Sequence, residues 1–185
     1  MKNRNLKVVT LCGSLRINSY NRKLLEFAKT LLQEFNVIVE DIDLKKLNLP
    51  IFDEDIEVGG FPESVVTLKS IVESADLILI ATPEYNHSIS GALKNALDWL
   101  SRKRNSLNGK TAVILGASTG LYGTMRAQIH LRQILTALNV TISPQPQIFI
   151  SSAHEAFNED RNLKDSNLQN QLKELIKKSI NIINK

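Results

Sequence analysis

The chain has 185 residues, 43% of them apolar, enough to bury one substantial core and short for two full domains. Its formal charge of +4 comes from 23 basic and 19 acidic side chains that are interspersed, and aromatic residues make up 5% of the chain. A sequence with neither a basic stripe nor a base-stacking motif excludes nucleic acid as a partner and favours an anionic small molecule. No apolar run approaches the ~20 residues that span a bilayer, and the N-terminus carries no leader pattern. Cys12 is the only cysteine, so no internal disulfide forms. We therefore expect one cytoplasmic domain over residues 1–185, with no membrane segment.

Leu6 to Cys12 is β-branched, short and followed by glycine, the pattern of a strand buried on both faces. Leu24, Leu25, Ala28, Leu31, Leu32 and Phe35 then recur at helical spacing, with Asn18, Ser19 or Asn21 available to cap the helix start. Val37 to Ile42 reads as a second strand. Residues 44–60, with Pro50, two glycines and several carboxylates, read as an irregular surface excursion. A helix from Pro62 to about Ser74 leads to a third strand, Leu77 to Thr82. The loop Pro83 to Ser88 opens a helix to about Arg102, in which Trp99 is expected at the surface or at an interface. Lys110 to Leu115 is a fourth strand, Gly116 to Gly123 a small-residue loop, and Met125 to Leu138 a helix. Val140 to Ile150 is extended but holds Pro144 and Pro146, which places a fifth strand at a sheet edge. A last helix runs from Lys164 to Ile183. Regular alternation of strand and helix predicts an open, doubly wound α/β fold with a five-stranded parallel sheet, in which ligands bind beyond the carboxyl ends of the strands. The loops at 13–21, 83–88 and 116–123 share that edge.

In the first loop Ser14, Arg16, Ser19 and Asn21 gather hydroxyls, a guanidinium and free backbone N–H groups at one helix start, which favours a phosphate. The loop lacks GxGxxG and GxxxxGKS, so it is neither a dinucleotide fingerprint nor a P-loop. A cysteine phosphatase needs arginine after five intervening residues. Here Arg16 follows Cys12 after three and position 18 is asparagine, so Cys12 reads as a small buried hydrophobe. In the second loop, Pro83, Glu84, Tyr85 and Asn86 offer a rigid start, backbone donors and an aromatic face for a planar ring; a plain turn capped by Ser88 or Ser90 is equally open. His87, His130 and His154 stand without the partners that general base catalysis or metal ligation needs, so we expect no side-chain catalyst and no metal. Glu84, a single carboxylate, reads as structural.

Together GSLRINSYN at 13–21, TPEYNHSISGALKNALDWLSR at 82–102 and ASTGLYGTMRAQIHLRQIL at 117–135 resemble the NADPH-dependent FMN reductase family, flavodoxin-like quinone and chromate reductases included. The third stretch departs from the family pattern, with Thr124 in place of a second glycine. The resemblance implies a flavodoxin-like three-layer sandwich and tightly bound FMN, with NADPH or NADH as co-substrate. It implies a phosphate site on Ser14, Leu15, Arg16, Asn18, Ser19, Tyr20 and Asn21. The isoalloxazine would lie along Pro83, Glu84, Tyr85 and Asn86, with Ser118 closing the far side. It further implies hydride transfer from NAD(P)H to flavin and onward electron transfer to a quinone or similar small oxidant in a ping-pong cycle. A homodimer or homotetramer is also implied, with the helix of Trp99 and Arg102 and the helix around Arg126 as candidate contacts. Two alternatives remain: a flavodoxin-like electron carrier, disfavoured by the basic charge, and a flavin-binding redox sensor without efficient turnover.

Overall fold

The computed structural model of the chain describes residues 5–184; residues 1–4 and 185 of the expected domain lie outside the described residues. Strand β1 (Leu6–Cys12) pairs in parallel with β2 (Val37–Ile42) on one side and β3 (Leu77–Ala81) on the other. β3 in turn pairs with β4 (Thr111–Ala117), giving the order β2-β1-β3-β4 and then an edge position. This is the flavodoxin-like order, and its switch point lies between β1 and β3, where the chain leaves the sheet in opposite directions.

The side-chain period of two along each strand divides the core into two layers. Val8, Leu79, Val113 and Leu115 face helices α1 (Tyr20–Leu32) and α7 (Ser166–Ile183). Val9, Leu11, Ile78, Ile80 and Ile114 face α4 (Glu63–Ser74), α5 (Gly91–Ser101) and α6 (Met125–Ala137). β3 (LILIA) is buried at every position, as a central parallel strand covered on both faces must be.

Two sequence expectations need correction. The fifth strand is not continuous. β5 (Thr141–Ile142) pairs with the start of β4 and β6 (Ile148–Ile150) with its end, so two short pieces share one edge. Pro144 and Pro146 cannot donate to a ladder, and the looped-out segment is held by side chains instead. Arg132 Nη1 donates to Ser143 O at 3.2 Å and Gln128 Nε2 to Ile148 O at 2.8 Å. Trp99 is not at a surface. The excursion at 44–60 folds into two short helices, α2 (Leu44–Leu47) and α3 (Glu54–Val58), and the segment joining them covers the indole, which is 0% exposed. Trp99 Nε1 donates to Pro50 O at 2.8 Å, and Phe52 and Phe61 meet the ring edge-on at 5.0 and 6.0 Å. Arg102 is likewise engaged inside the chain, bonded to Glu57 at 2.8 Å.

Trp99→Phe is expected to cost ~1 kcal/mol for the lost hydrogen bond, and Trp99→Ala ~3–5 kcal/mol for the lost packing. Denaturant unfolding followed by circular dichroism checks this, since the substitution removes the only indole. Equal, small losses would contradict the buried anchor.

Candidate active site

At the carboxyl edge of the sheet, the loops after β1, β3 and β4 enclose a cavity of ≈ 150 Å³. Ser14, Arg16, Ser19, Tyr20 and Asn21 line it from the first loop, Pro83, Glu84 and Tyr85 from the second, and Ala117, Ser118 and Thr119 from the third. The hydroxyl of Ser19 caps α1 by accepting from Arg22 N, and Ser14 Oγ accepts from Arg16 N, both at 3.4 Å. The first-turn N–H groups of Tyr20 and Asn21 have no carbonyl within the helix to reach. Arg16 is exposed and has no ion-pair partner among the described residues.

Three ties fix the loops relative to one another. Asn21 is 3% exposed and reaches β4 with both ends of its amide: Nδ2 donates to Ala117 O and Ala117 N donates to Oδ1, each at 2.9 Å. Ser90, the cap of α5, accepts from Leu93 N and donates to Gly13 O at 2.5 Å. Glu84, in the cavity lining, also caps α6, accepting from Arg126 N at 3.0 Å, Arg126 Nε at 2.7 Å and Ala127 N at 3.3 Å. Burial pushes the Glu84 carboxyl up, but the Arg126 guanidinium and the two backbone N–H groups outweigh it and hold it below the usual carboxylate range.

Three of the residues expected at the site stand outside the cavity lining. Asn86 and His87 are the two central residues of a tight turn, both with positive φ (50° and 64°), closed by paired bonds between Tyr85 and Ser88 at 3.0 Å. Leu15 faces a separate apolar groove with Leu44 and Leu49. Asn18 lines a recess on the outer side of α1. Sequence reasoning missed Ala117 and Thr119 as lining residues, and it missed the partner of Glu84, since nothing in local spacing links positions 84 and 126. Cys12 is buried, and that burial pushes its thiol up, away from reactivity.

The chain matches the family described as NADPH-dependent FMN reductase over residues 6–155. The chain belongs to that family. It is 43% identical over 162 residues to an NAD(P)H-dependent FMN reductase of Pseudomonas aeruginosa, covering 87% of this chain and 86% of that protein. It is 41% identical over 145 residues to a quinone reductase of Escherichia coli K12, covering 77% and 76%. Its fold superposes on the flavoenzyme NAD(P)H:(acceptor) oxidoreductase FerB of Paracoccus denitrificans with a TM-score of 0.87, at 31% identity and 97% coverage of each chain. This reductase is thus a flavodoxin-like, FMN-dependent NAD(P)H oxidoreductase.

The third loop shows how the reductase accommodates Thr124. This residue has φ 74° and is 1% exposed, an unfavourable backbone for a β-branched side chain. Its Oγ1 accepts from Gln128 Nε2 at 3.1 Å and fills the space over Gly116, where an added Cβ would overlap Oγ1. Gly116→Ala should therefore cost ~3 kcal/mol through overpacking, and Thr124→Gly in the same chain should recover part of it; thermal denaturation of the pair tests this. A fully additive double variant would contradict the contact.

Glu84→Gln should cost about 2 kcal/mol at pH 7, the scale of hydrogen bonds to a charged group. A carboxyl with a depressed folded pKa contributes fully above its ordinary, unfolded pKa and loses that contribution as pH falls through the folded value. Unfolding of the two proteins should thus converge in acid. A gap that stays constant to low pH would contradict the charged clamp.

Proposed function

We propose that the cavity between the three loops is the FMN site, with the phosphate on Ser14, Leu15, Arg16, Asn18, Ser19, Tyr20 and Asn21, the flavin ring along Pro83, Glu84, Tyr85 and Asn86, and Ser118 beside it. We further propose that residues 1–185 form one FMN-binding domain that reduces small quinone-type oxidants. The donor set carries this reading: three serine hydroxyls, an unpaired guanidinium and first-turn N–H groups converge, while the one carboxylate in the lining is spent on α6. A dianion meets donors there, and the one negative charge in the lining is paired with Arg126.

When bound, FMN supplies hydride acceptance from NAD(P)H and electron delivery to the acceptor. The chain's contribution is to hold and orient. Arg16 and the α1 start neutralise the phosphate, and the ties at Asn21, Ser90 and Glu84 keep the three loops in register before the cofactor arrives. Glu84 is engaged on α6, Cys12 is buried and His87 sits on a turn outside the cavity. Donor and acceptor then use one opening in turn, which is the basis for a ping-pong cycle. The half-exposed Tyr85 in the lining gives that opening an aromatic wall suited to a flat, neutral oxidant.

The quinone-type acceptor is supported by relatives named quinone reductase, such as that of E. coli K12. We also propose a homodimer or homotetramer in the cytoplasm. Exposed Leu121, Met125 and Ile129 on the third loop and α6 support self-association. The lone, buried Cys12 suits a reducing compartment. Among the described residues, no helix is long and apolar enough to cross a membrane.

Arg16→Ala is expected to weaken FMN binding about tenfold or more while leaving riboflavin unchanged, because only FMN carries the phosphate. Quenching of flavin fluorescence on titration checks it, and equal losses for both flavins would remove Arg16 from the phosphate site. Initial rates at varied NADPH should give parallel double-reciprocal lines across quinone concentrations; intersecting lines would contradict sequential use of one opening.

A further inference from the structure

Ser88 and His130 form a hydrogen-bonded pair that the cavity and its three ties leave unused. Ser88 Oγ lies 3.2 Å from His130 Nδ1, across 42 residues of sequence. His130 is exposed on α6, and Ser88 is half-buried at the end of the second loop. Neither residue lines the cavity, so the pair is not a nucleophile and base for a molecule bound there. Its place in the second loop gives it a different use.

Ser88 closes the turn that carries Tyr85. Tyr85 N donates to Ser88 O and Ser88 N to Tyr85 O, both at 3.0 Å, so the two residues face each other as the ends of one tight hairpin. Asn86 and His87, between them, both have positive φ, and neither is glycine. A left-handed backbone costs roughly 1–2 kcal/mol at each such residue. The two backbone bonds contribute ~1 kcal/mol each net, so the turn is close to balance on its own and an anchor outside it decides where it stands. α6 supplies that anchor at two points. Glu84, before the turn, caps the start of α6 at Arg126 and Ala127; Ser88, after it, meets His130, one helical turn beyond Arg126. The Tyr85 ring, between those anchors, is 48% exposed and lines the cavity. The tie to His130 does not depend on the charge of the ring. Neutral imidazole accepts from or donates to a hydroxyl at Nδ1, and imidazolium donates to it.

We propose that His130, through Ser88, positions Tyr85 and thereby sets how tightly the opening holds a flat, quinone-type acceptor, a proposal that rests on the reading of the cavity as the FMN site. His130 is a positioning residue: it lies outside the cavity lining and acts by fixing where the Tyr85 ring stands. An aromatic wall holds a partner by stacking, which a flat ring provides and a compact, non-aromatic oxidant does not. Loosening the turn therefore weakens the first kind of acceptor and spares the second, a split that general damage to the fold does not produce.

The test uses the full chain loaded with FMN, with flavin absorbance recorded first and NADPH held at one saturating concentration. kcat and KM are measured for 1,4-naphthoquinone and for ferricyanide in wild type, His130→Ala, His130→Asn, Ser88→Ala, Tyr85→Ala and the Tyr85→Ala, His130→Ala double variant. Asparagine is chosen because its amide places a hydrogen-bonding atom where Nδ1 stands. His130→Ala and Ser88→Ala should each raise KM for naphthoquinone about three- to tenfold, the scale of one hydrogen bond, with kcat and the KM for ferricyanide within about twofold of wild type. His130→Asn should stay close to wild type, and His130→Ala should add nothing to Tyr85→Ala. Equal losses with both oxidants, a His130→Asn variant as impaired as His130→Ala, additive effects of His130→Ala and Tyr85→Ala, or no change in His130→Ala would each overturn the assignment. A wild-type chain that takes up no FMN overturns the cavity reading instead, and the absorbance spectrum shows it before any acceptor is added.

Discussion

The amide of Asn21 closes two hydrogen bonds on Ala117, one to its carbonyl and one to its N–H, across 96 residues of sequence. Those bonds fasten the start of α1 to the end of β4, and both residues line the cavity. Each bond contributes ~1 kcal/mol net, and loss of the amide would leave two buried backbone groups unpaired at ~1–3 kcal/mol each. The Ser90 bond to Gly13 O and the Glu84 cap on α6 do the same for the loop after β3. Three separate loops thus behave as one rigid wall. Preorganisation of this kind spares ligand binding the entropy of ordering them.

Such a wall separates binding from chemistry. Its polar groups divide into those that tie distant loops and helices together, Asn21 and Glu84, and those that line the cavity with at most local bonds, Ser14, Arg16, Ser19 and Ser118. The redox chemistry belongs to the cofactor, the chain's part is to hold it, and Cys12 is packed away as core.

Much of this was legible in the sequence because it is written in local signals. The fully apolar LILIA of β3, the helical stripe of α1 and the small-residue loops after each strand specify the doubly wound sheet and its binding edge. The features that escaped are set by contacts between distant residues or by backbone geometry. Pro144 and Pro146 pointed to an edge, but the split into β5 and β6 goes with Arg132 holding the Ser143 carbonyl between the two pieces and Gln128 holding the Ile148 carbonyl at the start of β6. Trp99 reads as a surface ring on helical spacing alone, and only the fold of residues 44–60 over it shows otherwise. The Asn86-His87 pair lacks the glycine that usually marks a turn with two positive φ values, and Thr124 occupies a left-handed position that its side chain disfavours. Both are tertiary constraints overriding local preference.

The central claim is that the Asn21 clamp preorganises the phosphate site of the FMN cavity. Titration of FMN into wild type and Asn21→Ala, followed by flavin fluorescence and accompanied by thermal unfolding of each protein, tests it most directly. The account predicts a folded variant whose FMN affinity falls about tenfold or more, at the scale of one to two lost buried hydrogen bonds. A folded variant that binds FMN as tightly as wild type would contradict it.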